Sequence, residues 1–210
     1  MTELWSERAA LYRESPAHRV GPDLDLLVDW AEDGSALDVA TGGGHVARRL
    51  REAGLEVVSC DPAAGMRPDV VCRAEDLPFA DGSFDVVTCR IAAHHFADIH
   101  AAMSEMARVS GSLVLVVDNL YGGEHVEQAE RLRDPTHVRC YSEAEWRALF
   151  TEAGLSVEDA RLFEARIELE PWFERAGCAG QDAKQVVELL QDRIDGGCVT
   201  GTRIALKGRK

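Results

Sequence analysis

The stretch Leu37-Asp38-Val39-Ala40-Thr41-Gly42-Gly43-Gly44-His45-Val46-Ala47 decides the fold. An apolar run ends in three consecutive glycines, and a helix-like run follows. A strand that turns sharply into a helix needs glycine where the backbone bends and where a ligand must come close. Such a turn also directs the helix N-terminus towards that ligand. The spacing therefore predicts a nucleoside-type cofactor over Gly42 to Gly44.

Outward from this turn, strands and helices alternate. Ser35 to Ala40 reads as strand one, His45 to Ala53 as a helix closed by Gly54, and Leu55 to Cys60 as strand two. Asp69 to Cys72 is a short strand three, and Phe84 to Cys89, after the Asp81-Gly82 turn, is strand four. Ile99, Ala102, Met103 and Met106 mark one face of a helix, and Ser112 to Asp118 is an unbroken Leu/Val strand buried on both faces. The alternation implies a parallel sheet with right-handed crossovers. Residues 2–14 and 22–33 precede it as helices. Ser142 opens a capping box with Glu145 ahead of Trp146, Leu149 and Phe150. Leu155 to Leu169 is strand-like, Asp182 to Ile194 an amphipathic helix, and Gly201 to Lys207 a final strand. The whole chain, 1–210, reads as one domain, with residues 1–33 as a helical cover and 170–200 as a helical insert before the last strand.

The net charge of -14 argues against a nucleic-acid partner or an anionic membrane surface, both of which need clustered Lys and Arg. No apolar run approaches the roughly 20 residues that span a bilayer. Met1 to Arg8 lacks the basic-then-apolar order of a signal peptide, so a cytoplasmic location is expected. The six cysteines form no Cys-x-x-Cys pair, so no metal is expected and the thiols read as small buried groups.

Gly42-x-Gly44-x-x-Ala47 also fits a dinucleotide fingerprint, with Asp61 as the ribose ligand. Two details disfavour it. The Asp38 carboxylate, four positions before Gly42, would repel a pyrophosphate and attract a cation. The glycine turn also follows its strand by a longer step than that motif uses. S-adenosylmethionine carries a sulfonium, an ammonium and a ribose but no phosphate, and so suits acids at the ends of strands one and two.

The chain resembles class I S-adenosylmethionine-dependent methyltransferases of the ubiquinone/menaquinone-biosynthesis type. Leu37 to Gly44 resembles the family's first motif, and Val58-Ser59-Cys60-Asp61 its second strand with the ribose-binding acid. Ala74-Glu75-Asp76-Leu77-Pro78-Phe79-Ala80-Asp81-Gly82-Ser83-Phe84-Asp85-Val86-Val87 is the most specific match. Arg90 to Phe96 and Asp134 to Arg139 are also similar to members of this group. The resemblance implies an α/β, three-layer Rossmann-like class I methyltransferase fold. Its seven-stranded mixed sheet has the order 3-2-1-4-5-7-6, with helices on both faces and the last strand antiparallel.

It further implies methyl transfer to a small-molecule acceptor by in-line displacement. Asp38 would orient the methionine part, Ala40, Thr41, Gly42 and Gly44 would form the turn against it, and Asp61 with Pro62 would hold the ribose. Ala74, Glu75 and Arg90 would surround the adenine and ribose. Three departures stand out. Ala40 replaces the first glycine of the motif, the connection from Asp61 to Ala74 is short for a helix, and Arg73 occupies the place of an adenine-binding Asp.

The cofactor supplies the reactivity, so the protein mainly aligns the acceptor and removes a proton. His94 and His95 follow strand four at the ligand-binding edge and are the candidate bases, with at most one facing the cofactor if the segment is extended. Shaping the loop is their alternative role. Tyr12, His137 and Arg139 are candidate substrate contacts, and Arg139 would clamp an acidic group or form a structural salt bridge. The alternatives to a methyltransferase are a protein that binds S-adenosylmethionine or S-adenosylhomocysteine without catalysis and an NAD(P)-dependent oxidoreductase. The 182–194 helix reads as a core-packing helix, with a wall of the acceptor pocket or a homodimer contact as its alternatives.

Overall fold

The computed structural model describes residues 2–210. The sheet is built from β1 (Ser35–Val39), β2 (Glu56–Asp61), β3 (Val70–Val71), β4 (Phe84–Arg90), β5 (Ser110–Asn119), β6 (Ser156–Glu168), β7 (Ile194–Asp195) and β8 (Cys198–Arg209). Its order is β3-β2-β1-β4-β5-β8-β6, with β7 paired to β8. The first five strands are mutually parallel, and β8 runs antiparallel to β5, β6 and β7. With β7 set aside, because it pairs only with β8 off the main path, and β8 counted as the seventh strand, this is the predicted order 3-2-1-4-5-7-6.

The extra strand is a difference from the expectation. The helix predicted over Asp182–Ile194 stops early: α9 spans Gly180–Leu189, and Ile194 already belongs to β7. Gly196 and Gly197, with φ of +54° and +75°, form the two-residue turn into β8. A tight hairpin of this kind requires positive φ at both central positions, which Gly-Gly provides without strain.

Alternation along β5 fixes the layers. Leu113, Leu115 and Val117 face one side with Leu24 and Leu27 of α3 (Pro22–Trp30) and with Val46 and Leu50 of α4 (His45–Glu52). Val114 and Val116 face the other side with Met103 and Met106 of α5 (Ile99–Val109) and with Trp146 and Phe150 of α7 (Glu143–Glu152). The expected capping box closes the start of α7: Ser142 Oγ accepts from the Glu145 N–H, and Glu145 accepts from the Ser142 N–H. A separate apolar cluster joins Ala129 of α6 (Glu124–Arg133), Trp172 of α8 (Leu169–Ala176), Val186 of α9 and Val199 of β8.

The short connection after β2 makes only a 3-10 turn, Ala64–Met66. Its flank is occupied by α1 (Thr2–Glu14): the Gly65 N–H donates to Ser6 Oγ at 3.1 Å, and Arg13 Nη1 donates to the Gly65 carbonyl at 2.9 Å. A Cβ on Gly65 would meet Ser6 Cα at 2.6 Å, so only glycine allows this approach. Among the described residues no helix is long and apolar enough to cross a membrane, and all six cysteines are free.

Candidate functional site

The site lies at the C-terminal ends of β1, β2 and β4. There the strand order reverses direction around β1, and crevices open in such sheets. A cleft enclosing about 1150 Å³, including its open mouth, runs over the glycine turn. Ala40, Thr41, Gly42, Asp61, Pro62, Ala74, Glu75, Arg90, Tyr12 and His95 line it. Asp38, Gly44, His94, His137 and Arg139 do not.

Asp38 is 1% exposed and holds the turn from behind. Its Oδ2 accepts from Thr41 Oγ1 at 2.5 Å and from the Ala47 N–H at 3.1 Å, and its Oδ1 accepts from Thr88 Oγ1 at 3.1 Å. The Ala47 N–H is one of the free donors at the start of α4, the type of group that a pyrophosphate would use. Here the chain's own carboxylate takes it. This refines the sequence reading, in which the helix N-terminus faced the ligand, and adds an argument against a dinucleotide. Burial raises the Asp38 carboxyl to about 6, against the lowering effect of these hydrogen bonds.

Ala40 and Gly42 have φ of +53° and +52°. Alanine therefore carries left-handed strain where a glycine would carry none. A Cβ on Gly42 would meet only the Ala40 carbonyl, at 4.0 Å, so the cleft side of the turn is open to a ligand. Gly43, which the sequence reading left without a role, is the crowded position. A Cβ there would lie 2.7 Å from both the Tyr12 carbonyl and His45 Nε2. His45 Nε2 itself lies 3.0 Å from that carbonyl, so the end of α1 is seated on the turn.

Asp61 accepts from the Gly42 N–H at 3.0 Å and from the Ala63 N–H at 2.8 Å. A carboxylate has about four acceptor sites, so capacity remains for ligand hydroxyls. Burial raises its pKa. Glu75 accepts from Arg73 Nη2 at 3.1 Å and from the Ala97 N–H at 3.0 Å. Arg73, the misfit in the adenine region, is thereby drawn into an ion pair with the neighbouring acid.

Arg90 lines the cleft, but its hydrogen bonds run elsewhere. Nε donates to Asp23 Oδ2 at 2.8 Å and Nη1 to the His18 carbonyl at 2.8 Å. These bonds tie α3 and the short helix α2 (Pro16–Arg19) to the end of β4. Arg90, expected beside the adenine and ribose, thus serves in the structure as an anchor for these helices. The next residue, Ile91, is β-branched with φ +54°, a strained conformation at the cleft wall.

The two adjacent histidines sit in a 3-10 turn, Ala93–His95, with ring centroids 4.1 Å apart, not in the extended segment that the sequence reading assumed. His94 is buried against Asp118: Nδ1 lies 2.5 Å from Oδ1, and the backbone N–H donates to Oδ2 at 2.8 Å. Burial pulls its pKa down, yet the charge and hydrogen bond of Asp118 outweigh this and raise it. His95 faces the cleft, with its ring edge-on to Trp5 at 4.7 Å. Its Nδ1 lies 3.0 Å from the Thr136 carbonyl. Burial and then the charge of His94 hold its pKa well below the ordinary histidine range.

His137 and Arg139 do not reach the cleft from the loop over the site. His137 is buried with Nε2 3.1 Å from Glu127 Oε2, and Arg139 pairs with Glu145 at the surface, over the Tyr141 ring. Glu127, His137 and Cys140 bring three potential metal-ligand atoms within 4.8 Å of one another. Glu127 is already engaged by His137 and by the Cys140 N–H at 3.2 Å. The loop contributes Thr136 to the cleft, and the N-terminal cover contributes Trp5 and His18. No spacing rule on the chain signals these three, because tertiary docking alone brings them to the cleft.

A family described as "Methyltransferase domain" matches residues 37–115. The chain is 33% identical over 217 residues to "Uncharacterized methyltransferase YcgJ" of Bacillus subtilis, covering 91% of this chain and 85% of that protein. The crystal structure of that protein superposes with a TM-score of 0.78 over 90% of this chain and 97% of its own, at 29% identity. A structure described as a putative methyltransferase from Bacillus halodurans gives 0.79 over 90% and 99%, at 30% identity. The demethylmenaquinone methyltransferase of Beutenbergia cavernae is 43% identical over 84 residues, only 35% of each chain.

The donor set fits the methyl donor of this family. The open glycine turn admits a ligand against backbone, two carboxylates face the cleft, and the Ala47 N–H of the helix start is already taken by Asp38. The chain belongs to the class I S-adenosylmethionine-dependent methyltransferases.

Proposed function

We propose that the protein transfers a methyl group from S-adenosylmethionine to a small-molecule acceptor, with His95 as the base. The observation that carries this reading is the arrangement of Asp61, the glycine turn and His95 around one cleft beneath the N-terminal cover.

When bound, S-adenosylmethionine supplies a methyl carbon made electrophilic by its sulfonium. Asp61, with Pro62 beside it, accepts from the ribose hydroxyls. Ala40, Thr41 and Gly42 lie against the methionine part, with Gly44 completing the turn and Asp38 holding it in shape. Ala74 and Glu75 border the adenine, and Arg90 fixes the cover above it. Trp5 and Tyr12 exclude water from the cleft, which strengthens every polar contact inside it.

His95 removes the acceptor proton at Nε2. The Thr136 carbonyl can only accept, so Nδ1 carries the hydrogen and Nε2 keeps its lone pair. A depressed pKa keeps that lone pair free at neutral pH. His94 acts as a positioning residue through its ring contact and its bond to Asp118. Tyr12 contacts the acceptor at the cleft wall, whereas His137 and Arg139 stabilise the loop that carries Thr136.

Parallel calorimetric titration with S-adenosylmethionine, S-adenosylhomocysteine and NADH tests the cofactor. Micromolar binding of both sulfur nucleosides and none of NADH is expected. Tight NADH binding would favour an oxidoreductase. Turnover against a panel of acceptors then separates an enzyme from a protein that only binds the nucleoside.

A further inference from the structure

Next to the cleft lies a second, smaller cavity, about 440 Å³ with its opening to solvent included, that shares Tyr12, His18, Ile91 and His95 with it. Three guanidinium groups reach it, from Arg133 at the end of α6, Arg175 of α8 and Arg203 of β8. All three residues are buried, at 6–7% exposure. In a chain of net charge -14, clustered arginines in an interior cavity are not explained by composition.

The partners of these arginines are unequal. Arg133 is satisfied by Glu130, with Nη2 2.9 Å from Oε2, and it stacks over the Trp172 ring at 4.5 Å. Arg203 shares Asp23 with Arg90 at the longer distance of 3.4 Å, and its Nε has no partner. Arg175 has neither a hydrogen bond nor an ion pair among the described residues. Burial lowers its pKa, and so do the charges of Arg133 and Arg203, while the neighbouring Glu174 favours its charged form without forming an ion pair with it. One further acid stands near, Asp134, but its Oδ1 serves Thr136 and it does not line the cavity. Among the described residues no carboxylate lines the cavity, and Arg175 pairs with none of the acids around it. A buried cation without a partner is costly unless an anion joins it.

We propose that this cavity holds the anionic head, a carboxylate or phosphate, of the methyl acceptor, gripped by Arg175 and the free edge of Arg203. The planar guanidinium fork matches either oxyanion in two parallel hydrogen bonds. With its head there, the acceptor crosses the shared wall and presents its body to His95 and the cofactor cleft. The inference rests on the proposed methyl-transfer reading and adds the substrate class.

The test is thermal unfolding in inorganic phosphate, in benzoate and in chloride at matched ionic strength, on the wild type, Arg175→Met and Arg175→Lys. Each sample is also titrated with S-adenosylhomocysteine. For the wild type, one of the two oxyanions is expected to raise Tm by about 2–4 °C over chloride, and the one that does so names the acceptor class. Arg175→Met should lose this shift, keep nucleoside affinity within about threefold, and be at least as stable as the wild type in chloride, because an unpaired buried charge has gone.

A wild-type Tm that ignores both anions, or an Arg175→Met protein that still responds, overturns the proposal. So does an Arg175→Met protein less stable than the wild type in chloride, since the arginine would then have a structural partner. If Arg175→Met does not fold, Arg175→Lys decides. A weakened response supports the fork, and an unchanged one overturns it. If the wild type responds to anions but binds no S-adenosylhomocysteine, the methyl-transfer reading fails and the acceptor assignment falls with it.

Discussion

His95 Nδ1 lies 3.0 Å from the carbonyl oxygen of Thr136, and this contact decides which ring nitrogen is available for chemistry. Another neighbour of His95 is His94, 4.1 Å away between ring centroids and held by Asp118, whose carboxylate raises the His94 pKa. The Thr136 carbonyl fixes the tautomer, while burial first and then the His94 charge lower the His95 pKa.

A base held well below the ordinary histidine range stays neutral into mildly acidic solution. For an acceptor that must lose a proton, the kcat profile should be flat at neutral pH and fall only in acid. In Asp118→Asn, His94 loses the carboxylate that raises its pKa, so its charge presses less on His95, the His95 pKa rises and the acid limb moves to higher pH. His95→Gln should lower kcat by about 10²-fold or more while S-adenosylhomocysteine affinity holds. An unchanged kcat in His95→Gln would remove the base assignment.

Asp61 supports the turn through Gly42 and faces the cleft at the same time. Asp61→Asn keeps the size but loses the charge, and because its amide nitrogen only donates, either the Gly42 or the Ala63 N–H also loses its acceptor. Cofactor affinity should drop by about 10- to 100-fold, the scale of one or two charge-assisted hydrogen bonds. Calorimetric titration measures it, and an affinity equal to wild type would rule out ribose binding by this acid.

Gly43 is where the N-terminal cover meets the glycine turn. In Gly43→Ala the new methyl group collides with the Tyr12 carbonyl backbone, which cannot swing aside as a side chain could. The end of α1 should lift. Hydrogen exchange over residues 2–20 should accelerate, and nucleoside affinity should weaken. Exchange that matches the wild type would mean the cover does not depend on this contact.

The Asp38 carboxyl, at about 6 in the folded protein, lies above the usual aspartate value. Between those two values the folded state holds a proton that the unfolded state has lost. Its contribution to stability is therefore present in acid and is lost as pH rises through about 4 to 6. A difference of two pKa units corresponds to about 3 kcal/mol. Urea unfolding should show the stability of wild type relative to Asp38→Asn falling by about 2–3 kcal/mol between pH 4 and pH 7. A pH-independent difference would mean that burial does not lift this carboxyl.

The sequence by itself determined the five parallel strands and the glycine turn between the first of them and its helix. Strand β5 is legible because six consecutive buried residues, Leu113 to Asp118, leave few other options, and three adjacent glycines mark the turn. Asp61 is legible because a strand-end acid is a local signal. The tertiary structure decided what periodicity does not encode. Asp38 turned inward to hold Thr41 and Ala47, a 3-10 turn stacked His94 on His95, and Arg90 reached back 67 residues to Asp23. Trp5 and Thr136 reach the cleft, and Arg175 the adjoining cavity, from three distant segments only when α1, the loop after α6, and α8 dock. Spacing along the chain reports local backbone geometry, whereas a site's chemistry depends on which distant groups share one desolvated volume.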